Sequence, residues 1–325
     1  MSPTPPAVST NQDHQAVMHP YIPLVIGVFA ASSASILVRF AQRDAPSLII
    51  AAYRLTIATL LLLPALFRRW KRDVLPLSRQ LILLTCLSGA FLTVHFATWI
   101  TSLEYASVAS SVVLVQTSPI MVALLSPILL DESLHPQTWI GITLAFAGSI
   151  LVGMSDLCLS SSGVLACPPL SSLVGGTALK GDLLALAGAV AVSGYLIIGR
   201  KIRVDIPLLP YLAGTYGTSS VLLIMLAVLA GHSFTGYEPI TFVWFLLLAL
   251  LPQIVAHSSV NWALRYIPAA IVSIFLLGEP VGSAILAVFI LDEIPPPLRI
   301  FGGIMILTGI VITIISQREQ QPADA

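Results

Sequence analysis

Ten apolar runs, each long enough to cross a bilayer, follow one another along the chain: 21–41, 47–66, 80–100, 107–130, 137–154, 182–199, 208–230, 241–261, 266–291 and 298–316. A hydrocarbon core of about 30 Å needs about 20 helical residues to span it. The expected fold is therefore an all-α membrane protein with ten transmembrane helices. Composition agrees, since only 9% of residues are charged, where soluble domains carry about 25%. The net charge is zero, so nothing points to nucleic acid as a partner. The first twenty residues are polar, proline-rich and free of Lys and Arg. A signal peptide needs a basic start beside an apolar stretch, so 1–20 is read as a disordered tail ahead of an uncleaved first span.

Lys and Arg in the loops set orientation. With the N-terminus inside, ten lie inside (Arg68, Arg69, Lys71, Arg72, Arg79, Arg200, Lys201, Arg203, Arg265, Arg318) and four outside (Arg39, Arg43, Lys180, Arg299). Both termini, 1–20 and 318–325, are expected in the cytoplasm, in a cell-membrane protein. Segment 155–181, rich in Ser, Gly and Pro, reads as an external connector. Cys158 and Cys167 flank its centre. A disulfide between them and two unpaired thiols both stay open.

Shifting the chain against itself by 161 residues superimposes special residues: Pro119 on Pro280, Asp131-Glu132 on Asp292-Glu293, Gly141 on Gly302, Gly148 on Gly309, Tyr105 on Tyr266 and Arg39 on Arg200. Each half, 21–154 and 182–317, holds five spans. Five is odd, so the second half enters the membrane upside down. Inverted-topology repeats of this kind mark alternating-access transporters.

The stretches "HFATWITSLEYASVASSVVLVQTSPIMVALLSPILLDE" from His95, "AHSSVNWALRYIPAAIVSIFLLGEPVGSAILAVFILDE" from Ala256 and "AAYRLTIATLLLLPAL" from Ala51 resemble the drug/metabolite transporter superfamily in its EamA type. The resemblance covers about residues 22 to 316. It implies a ten-helix bundle with a central substrate cavity, makes Glu132 and Glu293 typical positions, and leans toward export. It implies no particular substrate.

Several residues stand out as chemistry in an apolar setting. Glu279 lies deep in the ninth run, where an ionised carboxylate costs at least ~2.5 kcal/mol unless it meets a cavity or a partner. Pro280 brings no N–H to the Leu276 carbonyl, and Gly278 removes bulk. Glu279 is the candidate for substrate binding and for proton coupling; a structural hydrogen bond is the competing reading. The matching place in the first half holds Gln116, Thr117 and Ser118 before Pro119, which frees the Val115 carbonyl. Interrupted helices at corresponding places in two halves point to a binding site; plain kinks are the alternative. His257 and Asn261 are four apart and share a helix face, with Trp262 next to them. His95 and Trp99 are also four apart. Cavity lining and simple helix-tying compete for these residues. Arg54 is read either as snorkelling to the interface or as an anion contact, Glu104 as solvated, and Glu132 and Glu293 as surface or gate caps. The small-residue stretches 30–35 and 188–194 are read chiefly as close helix packing.

No Lys lies within a span, which argues against a grip for sugar phosphates. There is no Walker loop, no Cys/His metal spacing and no HExxH, so no cofactor is expected. The expected function is secondary transport of a small organic solute, with a lipid bilayer as the other partner. Substrate-binding candidates are His95, Trp99, Gln116, Ser118, His257, Asn261, Trp262 and Glu279. The alternatives are a non-transporting membrane receptor or scaffold, which would lack a polar midplane cavity and lock Glu279 to a partner, and an intramembrane enzyme using His257 with Ser258 or Ser259.

Overall fold

The structure, a computed structural model, describes residues 19–70, 78–157, 176–291 and 295–320. Ten helical spans are present among them: α1 Tyr21–Ala41, α2 Ser47–Arg69, α3 Arg79–Tyr105, α4 Val108–Leu129, α5 Pro136–Ser155, α6 Thr177–Arg203, α7 Leu208–Leu229, α8 Pro239–Ala263, α9 Ala269–Leu286 and α10 Pro297–Gln317. No strand occurs among the described residues. Large apolar side chains such as Phe289, Leu229 and Ile128 are strongly exposed. In lipid that exposure costs nothing, because acyl tails are as apolar as the side chains.

Helix starts follow local chemistry. Ser78 and Ser107 accept from the Leu81 and Ser110 N–H groups at the starts of α3 and α4, satisfying donors that a first turn leaves unpaired. Glu104, exposed at the end of α3 as its solvated reading requires, also receives Ser47 N–H and hydroxyl at the start of α2. Pro207, Pro268 and Pro296 precede α7, α9 and α10, where a residue without an N–H is tolerated. α6 begins at Thr177, inside the stretch read as connector. Gly181 explains the early start: a Cβ there would lie 2.7 Å from the Ala106 backbone nitrogen. The helix therefore lies against the end of α3, and Asp182 accepts from Ser110 Oγ at 2.6 Å. Cys158, Cys167 and Asp292-Glu293 lie outside the described residues, so the disulfide and the second carboxylate pair are not described.

The two halves pack as inverted copies. α2 packs on α7, α4 on α9 and α5 on α10, each helix against its own counterpart; α3 packs on α6 as α8 packs on α1. The repeating glycines lie at the α5–α10 crossing. A Cβ on Gly148 would sit 2.6 Å from the Gly302 carbonyl oxygen, and one on Gly309 would sit 2.5 Å from the Gly141 oxygen. Only glycine permits backbones this close, and the reciprocal pairing places a pseudo-two-fold axis at the crossing.

The repeat also governs where helices break. α4 divides into Val108–Val115 and Ser118–Leu129, and α9 into Ala269–Leu276 and a segment starting at Glu279. Val115 aligns with Leu276 and Ser118 with Glu279 under the same 161-residue shift. Two further irregularities have no counterpart in the other half. α1 divides at Ser32–Ser33, where Ser283 Oγ donates to the Ser32 carbonyl at 2.7 Å. α8 carries a π-helical stretch, Ala249–His257, around Pro252; such bulges concentrate at functional sites.

Candidate functional site

The breaks in α4 and α9 face a common cavity between the halves, about 80 Å³ in volume. A void of about 10–15 Å³ already accepts a water molecule, so this one has room for several waters or part of a small solute. Glu279 lies ten residues from the start of α9, roughly 15 Å along the helix and near the middle of a ~30 Å core. Val115 and Leu276, whose carbonyls have no N–H four residues on, both line the cavity, as do Ala31 and Ala34 at the α1 break. The 30–35 stretch therefore serves packing and cavity space together.

Six of the eight residues singled out from sequence lie on the wall: His95, Trp99, Gln116, Ser118, His257 and Glu279. His95 does two jobs. Its Nδ1 donates to the Gly188 carbonyl at 2.9 Å, tying α3 to α6, and its ring stacks on Trp99 with centroids 5.9 Å apart. Gln116 accepts from Ser149 Oγ through its amide oxygen, and its Nε2 has no hydrogen-bond partner among the described residues. Ser118 is buried, and its carbonyl accepts from Ser193 Oγ at 3.3 Å. Glu279 forms no hydrogen bond or ion pair among the described residues; the cavity is its setting.

The other two lie off the wall. Asn261 is fully buried one layer behind the wall, donating to the Tyr195 hydroxyl and, at 2.5 Å, to the His257 carbonyl. Its side chain holds two wall residues in place. Trp262 packs on Tyr266, centroids 4.7 Å apart, away from the cavity. The cause is helical geometry, since neighbours in sequence point to different faces. His257 and Ser258 share no hydrogen bond among the described residues.

Arg54 does not snorkel. It is 1% exposed and lines the cavity. Its Nε donates to Gln253 Oε1 at 2.8 Å, and its guanidinium lies 4.1 Å from the Phe96 ring centroid, an arrangement that favours a desolvated cation. Gln253 comes from the π-helical stretch of α8, and its carbonyl accepts from Tyr216 at 3.2 Å. Arg54 and Glu279 both line the cavity but form no ion pair. The sequence signal for Arg54 was its charge inside an apolar run. Tyr195, Phe96 and Gln253 carried none, because their place on or behind the wall depends on which helices meet.

One end of the cavity's surroundings is fastened by charge. Glu132 at the end of α4 meets Arg200 Nε at 2.5 Å and accepts from Ala269 N–H at the start of α9. Arg200 also donates to the Leu264 and Arg265 carbonyls, 2.8 and 3.1 Å away, at the end of α8. One pair thus joins four helix termini. At the opposite end Arg39, the repeat partner of Arg200, donates to the Ala106 carbonyl at 3.3 Å.

Comparison with known proteins agrees with this architecture. The sequence profile of the EamA-like transporter family matches residues 20–154 and 179–315. An uncharacterized transporter of Archaeoglobus fulgidus is 24% identical over 303 residues, covering 93% of this chain and 98% of the relative. The uncharacterized transporter YetK of Bacillus subtilis is 23% identical over 311 residues, covering 93% and 88%. A protein of known crystal structure shares the fold, with a TM-score of 0.73 at 18% identity over 93% of this chain and 99% of its own. Two profile matches, one for each inverted half, make this multi-pass membrane protein a member of the EamA-like transporter family, in the drug/metabolite transporter superfamily.

Proposed function

We propose that the chain is a secondary transporter that binds a small organic solute at the midplane cavity and exposes it to the two sides in turn. Both termini are cytoplasmic, the membrane is the cell membrane, and net flux is outward. The observation that carries the reading is the unpaired carboxylate of Glu279 in a cavity between inverted halves. A receptor or scaffold has no use for such a group, and a buried unpaired charge is costly unless it serves a ligand or a proton.

Proton coupling follows from the same carboxylate. Arg54, His95, His257 and Tyr195 are the charged or titratable groups sharing its cavity. A proton moving with each cycle would draw ~2.3 kcal/mol from each 100 mV of membrane potential. The Glu132–Arg200 cluster supports the alternating step, because releasing that ion pair parts the α4 and α9 ends from the α6 and α8 ends on the side read as cytoplasmic.

The test is Glu279→Gln in proteoliposomes with an imposed pH gradient. The amide keeps shape, is easier to bury and cannot titrate. Gradient-driven accumulation falls to background while exchange without a gradient persists. Wild-type accumulation in the variant overturns the coupling role. Loss of folded protein assigns Glu279 to structure and moves the titrating role to His257.

A further inference from the structure

A second opening lies on the lipid-facing side of the molecule. Between α9 and α10 runs a groove of about 250 Å³, whose walls include Val281, Ala284, Ile285, Ile300, Gly303 and Leu307. It adjoins a cleft of about 100 Å³, since Val152, Pro280, Ala284 and Arg299 line both. The cleft in turn shares Val112 with the midplane cavity. Ile285, Ile300 and Leu307 are exposed, so the groove is open to hydrocarbon. Arg299 is the one charged residue on either wall among the described residues. We propose that this groove is a binding site for a glycerophospholipid, with the lipid phosphate on the Arg299 guanidinium and one acyl chain lying along α10 toward Leu307.

Length favours a whole lipid over a headgroup alone. Leu307 lies eight residues past Arg299, roughly 12 Å along the helix. The groove therefore runs from the start of α10 most of the way to the middle of a ~30 Å core. Gly303 lies halfway along it. A Cβ there would meet only Val281 Cγ2 within contact range, at 3.7 Å. This glycine leaves room in the groove, whereas its neighbour Gly302 permits a helix crossing. Charge selects the phosphate. Arg299 sits in the first turn of α10, where the positive end of the helix dipole also favours an anion. The Ser155 hydroxyl donates to the Val152 carbonyl at 2.7 Å, so its oxygen accepts from Arg299 Nε, 3.4 Å away. A guanidinium carries five N–H groups and grips phosphate through two of them at once, so a phosphate fits alongside its protein contacts. No carboxylate lines the groove or the cleft among the described residues, and an anion meets no repulsion there. In the orientation proposed above this is the outer leaflet; the binding does not depend on that orientation. The bound chain covers Pro280 and Ala284 and closes the cleft from the surrounding hydrocarbon.

The test uses the purified full-length chain in detergent, with native mass spectrometry and thermal unfolding as readouts. The probes are dioleoyl phosphatidylglycerol, dioleoylglycerol, which lacks the phosphate, and glycerol 3-phosphate, which lacks the chains. Phosphatidylglycerol stays bound, raises the thermal midpoint and binds about tenfold tighter than dioleoylglycerol, a gap of ~1.4 kcal/mol. Glycerol 3-phosphate does not displace it at equal concentration. Arg299→Gln erases the preference for phosphatidylglycerol over dioleoylglycerol. Arg299→Lys, which keeps the charge and loses the planar fork, retains a weakened preference. Gly303→Leu fills the groove and weakens both lipids about tenfold, while the midpoint of the lipid-free protein stays at the wild-type value. If Arg299→Gln does not fold, the other two variants decide: wild-type lipid affinity in both overturns the site. Equal binding of phosphatidylglycerol and dioleoylglycerol by the wild type overturns the role of Arg299. Unchanged affinity in Gly303→Leu overturns the groove as the seat of the chain. Glycerol 3-phosphate binding as tightly as the whole lipid reveals an adventitious ion only and overturns the lipid assignment.

Discussion

Single residues in this protein matter through what they face, and Asn261 shows the point. Its position four residues after His257 indicated a shared helix face, and the two do meet, but through the His257 carbonyl rather than side by side on the wall. Asn261 also holds the Tyr195 hydroxyl, joining α8 to α6. Interhelical hydrogen bonds in membranes contribute about 0.6 kcal/mol on average and up to about 1.7. Asn261→Ala leaves the Tyr195 hydroxyl buried without this partner, so destabilisation of about 1 kcal/mol is expected, read as a lowered thermal midpoint in detergent. Transport falls as well, because Tyr195 and His257 lose their support. An unchanged midpoint would remove Asn261 from the framework. Arg54 makes the converse point: its depth was legible, but snorkelling or burial depends on Gln253, about 200 residues away in sequence, being within reach.

At the scale of elements, the sequence was most informative where it broke its own pattern. Pro119 and Pro280 named both breaks in α4 and α9 and their register in advance, because a proline cannot serve the carbonyl four residues back. Pro252, a proline inside the eighth run, marks a kink, but not its π-helical form, which depends on how the stretch settles against α1, α2 and α3. The start of α6 was misplaced because its polar, glycine-containing first turn looks like loop until Gly181 is seen against Ala106. The breaks carry a prediction. Pro280→Ala restores an N–H to the Leu276 carbonyl and favours a continuous α9. Thermal stability is unchanged or higher, while transport drops by about tenfold or more, a barrier change of ~1.4 kcal/mol. Transport at the wild-type rate would show that the interruption plays no part in the cycle.

At the scale of the whole molecule, ten spans and two inverted halves were readable because hydrocarbon tolerates so few alternatives. Which face each helix turns inward was not, because packing among apolar helices depends on small residues and hydrogen bonds rather than on hydropathy. Orientation rests on basic residues and is checked by labelling. Single cysteines, Ser78→Cys and Ser171→Cys, are placed in a chain lacking Cys86, Cys158 and Cys167. An impermeant thiol reagent added outside whole cells labels position 171 and spares 78. The reverse pattern would invert the assignment.

The crossing of Gly141 and Gly148 with Gly309 and Gly302 has one more consequence. The axis through it lies within the plane of the membrane, so rotation about it exchanges the two faces of the molecule. Parts that meet one compartment have counterparts that meet the other, and a cycle built from them runs through the same kinds of steps in either sense. A carrier of this kind has no ratchet of its own. With the proton coupling proposed above, its traffic has the sign of the solute and proton chemical potentials summed across the membrane, and the proposed outward flux holds while that sum points outward.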